Sequence, residues 1–208
     1  MAAKANGVIL FSNLGQAING TEGISVQAQR FATDFLTAGS ATTLTNLTIT
    51  LQSFTTNSLS LTLSILPDVA GLPGSTSIGT FNPISVPSTQ NPAADFSTTT
   101  TGISLSANTN YWLVAQINQD IPSGTGAFYL TFTRTSQTDT GSIFSPVTTT
   151  TQESSGNNGV TWNQVLPSPY EMRYSLSGTV VPEPTGAMLI LIGLFTVATQ
   201  RRMKAKRC

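Results

Sequence analysis

The chain has 208 residues, which is long enough for one domain with a substantial core and too short for two. It contains no histidine and one cysteine, Cys208, which excludes His-based acid–base catalysis, a Ser-His-Asp triad, His-containing metal sites and an intrachain disulfide. The net charge of zero is the sum of two unlike regions. Up to position 200 the chain has four cationic and nine acidic side chains, and the last eight residues add five cations. The body therefore lacks the clustered Lys and Arg that nucleic-acid binding requires.

The composition favours β-structure. Ser and Thr together number 57, while charged residues make up 9% of the chain and apolar residues 39%. Sparse Lys and Glu with abundant Thr, Ser, Val, Ile and Phe favour strands over helices. Low charge with this apolar content argues against disorder. We therefore expect an exported, all-β protein.

The N-terminal segment, 1–22, is predicted to contain a first strand and a candidate remnant of a signal peptide. No basic region followed by an apolar stretch is present, but Ala3-Lys4-Ala5 has the small-x-small form of a cleavage site. One interpretation is that translation starts upstream of Met1. The alternative is a chance Ala-rich start, and the upstream reading frame distinguishes the two.

Strands are predicted where apolar and polar residues alternate, because this period places one face of a strand on a core and the other in water. The apolar members of four such runs are Leu47, Ile49 and Leu51; Leu59, Leu61, Leu63 and Ile65; Phe128, Leu130 and Phe132; and Met172, Tyr174 and Leu176. The sequence NYWLVAQIN, from Asn110, is apolar on both faces and predicts a central strand.

Turn-forming residues separate these runs, at Pro67-Asp68, Gly71–Gly74, Asn82-Pro83, Asn91-Pro92, Pro122–Gly124 and Gly156–Gly159. Short strands at this spacing predict an antiparallel β-sandwich of jelly-roll type over residues 23–179. The threonine runs at 98–101 and 148–151 are interpreted as edge-strand or loop residues, with glycosylation as the alternative.

Residues 180–208 have a different character. Val181-Pro182-Glu183-Pro184 is unsuited to a helix interior or a paired strand, because each proline lacks an N–H donor. An apolar span from Gly186 to Thr199 follows, and it predicts a single hydrophobic helix that is short for a bilayer core of about 30 Å. Its membrane-contacting residues are Gly186, Leu189, Ile190, Leu191, Ile192, Leu194, Phe195 and Val197. A basic tail then predicts a cytoplasmic end; it comprises Arg201, Arg202, Lys204, Lys206 and Arg207.

The motif, apolar span and basic end, in this order, resemble the PEP-CTERM sorting signal. The resemblance implies that an exosortase-type processing enzyme recognises Pro182, Glu183 and Pro184 and removes the helix and the tail. The precursor would be anchored transiently in the inner membrane, and the body would then reach the cell surface or the extracellular matrix. The rival interpretations are an ordinary tail anchor and a buried terminal helix.

The body resembles the choice-of-anchor R domain. The resemblance rests on ISVQAQRFATDFLTAG from Ile24, ILPDVAGLPGSTSIGTF from Ile65 and ISLSANTNYWLVAQI from Ile103. It covers most of residues 23–178 and implies no catalytic residues.

Candidate sites in the body are sparse. Tyr111, Trp112 and Trp162 are candidates for a sugar-stacking platform, although the neighbouring Tyr111 and Trp112 must point to opposite faces of a strand. We expect no cofactor. The alternative is a structural calcium site, and its candidate ligands are Asp34, Asp68, Asp95, Asp120 and Asp139. No spacing marks a catalytic carboxylate pair.

The leading hypothesis is an exported, non-enzymatic structural or interaction protein of the envelope or matrix. The second is a carbohydrate-binding module for exopolysaccharide, and the third, an enzyme, is disfavoured by the missing histidine and the scattered acidic residues.

Overall fold

The computed structural model describes residues 7–122, 126–134, 139, 141–146, 152–166 and 170–181. In these ranges the chain is all-β and forms sixteen strands. In chain order they are β1 (Val8–Ser12), β2 (Gly20–Ile24), β3 (Arg30–Leu36), β4 (Thr42–Ser53), β5 (Leu59–Val69), β6 (Leu72–Pro73), β7 (Gly79–Thr80), β8 (Ile84–Val86), β9 (Gln90–Leu105), β10 (Asn110–Ile117), β11 (Phe128–Arg134), β12 (Ser145–Pro146), β13 (Gln152–Ser155), β14 (Asn163–Leu166), β15 (Tyr170–Met172) and β16 (Tyr174–Val180).

The first antiparallel sheet is organised around β4. Strand β9 pairs along one side of β4, from Leu105 opposite Thr42 to Gln90 opposite Ser53. On the other side, β16 pairs with the first part of β4 and β11 with its end. Strand β1 continues the sheet beyond β16, while β2 and β15 pair with β11.

The second antiparallel sheet has β10 at its centre, between β3 and β5. Strands β12 and β13 pair with β3, and β14 pairs with β13. The short strands β6, β7 and β8 pair with β5. The central position of β10 explains why its sequence is apolar on both faces, as predicted.

The main core lies between the two sheets, because one cluster of buried side chains draws on both of them. The alternating runs are confirmed, since their apolar members are all buried; Leu47 and Leu63, for example, are 0% exposed. Ring contacts contribute to the core, with the Phe11 and Tyr174 rings stacked at 4.7 Å between centroids.

A smaller apolar cluster lies on the opposite, outer face of the second sheet. It consists of Ala32, Leu66, Trp112 and Val114, with Trp162 packed against it. Tyr111 belongs instead to the main core. The prediction that Tyr111 and Trp112 point to opposite faces is therefore confirmed.

Two predicted turns are wrong. Pro67 and Asp68 lie in strand β5, ahead of the turn at Ala70 and Gly71. Asn91 and Pro92 lie in strand β9, near its start, and not in a turn. Proline is accommodated at the first residues of an edge strand, where its missing N–H breaks little of the hydrogen-bond ladder. The threonines at 98–101 also lie in β9, as the edge-strand interpretation expects.

Of the N-terminal segment 1–22, the described residues 7–22 take part in the fold. Strand β1 and the first part of β2 lie within it, and Leu10 and Phe11 are buried in the main core. At the other end, the predicted hydrophobic helix lies outside the described residues. No helix suited to crossing a membrane occurs within the part of the chain that the structure describes.

Candidate binding cleft on the outer face of the second sheet

Three cross-strand rows form the outer face of the second sheet. Residues paired across antiparallel strands share a face, and the register of β3, β10 and β5 therefore determines which side chains meet. From one end of the face to the other, the rows are Arg30–Gln116–Thr62, Ala32–Val114–Ser64 and Asp34–Trp112–Leu66. The face thus changes along the strands from a polar row to rows that are mostly apolar, with the buried Asp34 in the last one.

One wall of the cleft is the β5–β6 hairpin. Its two central residues, Ala70 and Gly71, have φ of 56° and 82°, as a two-residue type I′ hairpin turn requires. The Asp68 carboxylate accepts hydrogen bonds from the Gly71 backbone N–H at 3.2 Å and from the Trp112 indole N–H at 2.8 Å. Asp68 therefore ties the hairpin wall to the outer face of the sheet.

The opposite wall is the loop between β13 and β14, which is shaped by Asn157. The Asn157 side chain accepts from the Thr161 backbone N–H at 2.9 Å and donates to the Thr161 hydroxyl at 2.9 Å. Ser155 Oγ donates to Oδ1 of the Asn157 side chain and accepts from the Gly159 backbone N–H. These bonds hold the loop in one conformation next to the sheet.

Gly159 lets this loop approach the sheet closely. Its φ of +80° lies in the left-handed region. A Cβ at this position would lie 3.0 Å from Arg30 Nη1 and 3.3 Å from Trp162 Cζ2. The Arg30 and Trp162 side chains therefore both lie next to Gly159. A side chain at this position would push against both of them.

Two adjoining cavities fill the space between the walls. The first has a volume of about 230 Å³ and is lined by Arg30, Thr62, Ser64, Leu66, Ser75, Ser77, Val114 and Gln116. The second has about 550 Å³ and is lined by Val69, Leu72, Pro73, Gly74, Ser75, Gly159, Val160, Thr161 and Trp162. Since Ser75 lines both, we treat them as one cleft with a polar end and an apolar end.

The polar end carries an unbalanced positive charge. Among the described residues, no acidic side chain forms an ion pair with Arg30. Its buried Nε atom also lacks a hydrogen-bond acceptor, as does Nε1 of Trp162. Burial lowers the pKa of the Arg30 guanidinium from its ordinary value. Arg30 is thus a partly desolvated cation that has no ion-pair partner among the described residues.

A second titratable cluster lies in the main core. Glu171 is 1% exposed, and its carboxylate accepts from the Tyr174 hydroxyl at 3.3 Å. Burial, and then the charge of Asp34, raise the pKa of Glu171 well above its ordinary value. The same burial, with the charge of Glu171, raises the pKa of Tyr174. Both side chains are buried, at 1% exposure for Glu171 and 0% for Tyr174, so this cluster is not part of the cleft.

The predicted sorting residues Pro182, Glu183 and Pro184, the membrane-contacting residues and the basic tail all lie outside the described residues. Of the aromatic candidates, the cleft includes only Trp162 in its lining, with Trp112 beneath it in the apolar cluster.

The five candidate calcium ligands are dispersed. Asp95 pairs with Arg173, Asp120 accepts from the Gln27 backbone N–H, and Asp139 binds Ser12 and Gly15. Among the residues that the structure describes, no three acidic side chains gather as a metal site.

Sequence reasoning did not single out Arg30, Gln116 or Ser75 as site residues. The available signal was the pair of turn motifs, Asp68–Gly74 and Gly156–Gly159, because these turns form the two walls. The described residues define a two-sheet antiparallel β-protein with an open cleft on its second sheet. No protein-family model and no curated protein matches the chain.

Proposed function

We propose that this chain is an exported, non-enzymatic interaction protein of the envelope or matrix, and that its second sheet binds polysaccharide. One observation carries the proposal: the cleft combines a row of hydroxyl, amide and guanidinium groups with an apolar surface that includes Trp162. Sugars present the same combination, since their hydroxyls form hydrogen bonds and the C–H faces of their rings pack on aromatic side chains.

The shape of the cleft favours an extended polymer over a small molecule. Both of its cavities are open to the surface, and they share Ser75 in their linings. Val160 at the rim is 79% exposed and Val69 is 58% exposed, which leaves apolar surface available beside Trp162. A chain of sugar rings would contact the hydroxyl-lined end and the Trp162 end together.

Preorganisation also supports binding. Gln116 Nε2 donates to the Gln27 carbonyl oxygen at 2.8 Å and to Asn158 Oδ1 at 3.3 Å, which joins the cleft floor to one wall. Asp68 joins the floor to the other wall through Trp112. Groups that are already held in place lose little conformational entropy when a ligand binds.

Delivery by an exosortase-type enzyme is part of the proposal, as is a jelly-roll-like arrangement of the two sheets. Strand β16 ends at Val180, and the Val181 N–H still bonds the Ala41 carbonyl oxygen at 2.8 Å. The Pro182–Pro184 motif follows immediately. Cleavage there would remove no described strand, which is what a removable sorting signal requires.

Binding is tested with the chain ending at Val181, by affinity electrophoresis in gels that contain a series of matrix polysaccharides. We expect retardation in at least one gel and its loss on Trp162→Ala. The matched control is Phe54→Ala, because Phe54 is also aromatic and is 44% exposed, but contacts Tyr129 of the first sheet. Unretarded migration in every gel, or equal effects of the two substitutions, would count against the cleft.

Sorting is tested by the intact mass of the protein recovered from cells with and without the processing enzyme. We expect loss of the helix and the basic tail only in its presence. Replacement of Pro182, Glu183 and Pro184 by alanine should preserve the full mass. A mature protein that keeps Arg201 to Cys208 when the enzyme is present would refute this route.

A further inference from the structure

The polar end of the cleft contains one cationic side chain, and its position is specified by the fold. Arg30 opens β3 and lies in register with Gln116 of β10, which in turn lies opposite Thr62 of β5. The backbone of Arg30 pairs with Ser155 of β13 on its other side. The backbone position of Arg30, and with it the base of its side chain, is therefore fixed by pairing of β3 with β10 on one side and β13 on the other.

The guanidinium itself is held at the cleft without being neutralised. Gly159 and Trp162 lie against it, and a Cβ on Gly159 would press on Nη1 at 3.0 Å. Among the described residues it has neither an ion-pair partner nor a hydrogen-bond acceptor for Nε. A partly buried cation without a counter-ion is costly in the free protein, and an anionic ligand would offset that cost.

We propose that the cleft recognises an acidic polysaccharide, one whose sugars carry carboxylate or sulfate groups, and that Arg30 binds the anionic group. This inference rests on the proposed function and specifies its ligand class. The planar guanidinium can donate two parallel hydrogen bonds to either anion. The hydroxyls of Thr62, Ser64 and Ser75 surround the same cavity and suit the remaining polar groups of the sugar.

General electrostatic attraction does not explain such binding. Up to position 200 the sequence contains nine acidic side chains and only four cationic ones. The body as a whole therefore has a negative net charge and repels polyanions. Affinity for an acidic polymer would therefore depend on the local contact at Arg30. A single substitution should then remove most of it.

The test uses the chain ending at Val181, which keeps every described strand and lacks the basic tail, and pairs of polymers that differ in charge. Polygalacturonate is compared with its methyl ester, and dextran sulfate with dextran, by isothermal titration calorimetry. We expect binding to at least one charged member and at least tenfold weaker binding to its neutral partner. The carboxylate and sulfate pairs show which anion the site accepts.

Two variants connect this preference to Arg30. Arg30→Gln should weaken binding to the charged polymer roughly 10- to 100-fold, the range expected for hydrogen bonds to a charged group. Arg30→Lys keeps the charge and should restore part of the affinity. Thermal unfolding of each variant shows whether the fold is retained, and Glu22→Gln, a charge change in the first sheet, is the control.

The outcomes separate this inference from the proposed function. Equal binding of charged and neutral partners, or undiminished binding by a folded Arg30→Gln variant, overturns the acidic specificity and leaves polysaccharide binding in place. The acidic specificity is also overturned if the protein binds neither charged polymer but is retarded by a neutral polysaccharide in the gels described above. Polysaccharide binding itself then remains in place. Failure with every polymer overturns both.

Discussion

The indole N–H of Trp112 donates to Oδ1 of Asp68 at 2.8 Å, and this bond connects the centre of the second sheet to the tip of its β5–β6 hairpin. Trp112 is fully buried on the outer face of the sheet, where few acceptors are available. The other oxygen of Asp68 accepts from Gly71 in the turn. A single carboxylate thus satisfies a buried donor and shapes one wall of the cleft.

Asp68→Ala should lower the free energy of unfolding by about 1–3 kcal/mol, because it leaves the buried indole N–H without an acceptor. Asp68→Asn should lower it less, since the amide oxygen can still accept from Trp112. Urea unfolding followed by tryptophan emission measures both. If the two variants were equally stable, the indole bond would not be the important contact.

Arg173 is expected to stabilise the N-terminal turn more through carbonyl groups than through its ion pair. Its Nε donates to the Gln16 carbonyl oxygen at 3.2 Å and its Nη2 to that of Leu14, while Nη1 contacts Asp95 at 3.2 Å. The Asp95 side chain is 47% exposed, and exposed pairs contribute little. Arg173→Met should therefore cost about 1–3 kcal/mol, and Asp95→Asn less than about 1 kcal/mol. Chemical unfolding of both variants tests the order, which would be reversed if the ion pair dominated.

Glu171 should make the protein less stable as the pH rises. Its pKa is raised in the folded state, so above the ordinary glutamate pKa the folded protein keeps a proton that the unfolded chain has released. The stability contributed by this proton is complete at low pH and is lost as the pH rises towards the folded pKa. Glu171→Gln should match the wild type below about pH 4 and exceed it increasingly at higher pH. A difference between the two proteins that is independent of pH would contradict this assignment.

Asp139 should show the opposite dependence. Burial raises its pKa, but hydrogen bonds from Ser12, the Gly15 backbone and Gln16 outweigh this effect, and the pKa lies below its ordinary value. The unfolded chain therefore takes up the proton first as the pH falls, and the stabilisation present at neutral pH is lost through the acid range. Asp139→Asn should thus differ most from the wild type near neutral pH and least in strong acid. Unfolding curves at a series of pH values from 2 to 7 measure this convergence.

Gly178 is expected to tolerate no side chain. A Cβ on it would lie 2.0 Å from the Thr43 carbonyl oxygen and 2.9 Å from Leu44 Cα, and both are backbone atoms of the adjacent β4. Gly178→Ala should cost about 3 kcal/mol or more, because β16 must move away from β4. Gly156→Ala is the control, since its Cβ would meet nothing within 4 Å. Comparable thermal stability of the two variants would show that β16 adjusts without strain.

Much of the fold was predictable because its signals are local. Alternation at Leu59, Leu61 and Leu63 requires only that the chain be extended with one face on a core. The doubly apolar run of β10 similarly indicated a central strand. The Asn91-Pro92 pair was misread because proline is tolerated both in turns and near the start of an edge strand, and the local sequence does not distinguish the two.

The cleft was less predictable because it depends on contacts between distant segments. Arg30 in the sequence lies between Gln29 and Phe31, four residues before Asp34, and nothing in this segment indicates that its side chain would form no ion pair. Its environment is created when Gly159 and Trp162 pack against it from the β13–β14 loop.

The sequence by itself determined the all-β class, the inward faces of the main strands, the turns that became the walls of the cleft, and the separation of a low-charge body from a basic terminal segment. These properties follow from composition and from a two-residue period, which act over a few neighbouring residues. The tertiary structure alone decided that Arg30, Gln116 and Thr62 form one row and that Arg30 forms no ion pair with a described residue, because strand register brings together residues far apart in the chain.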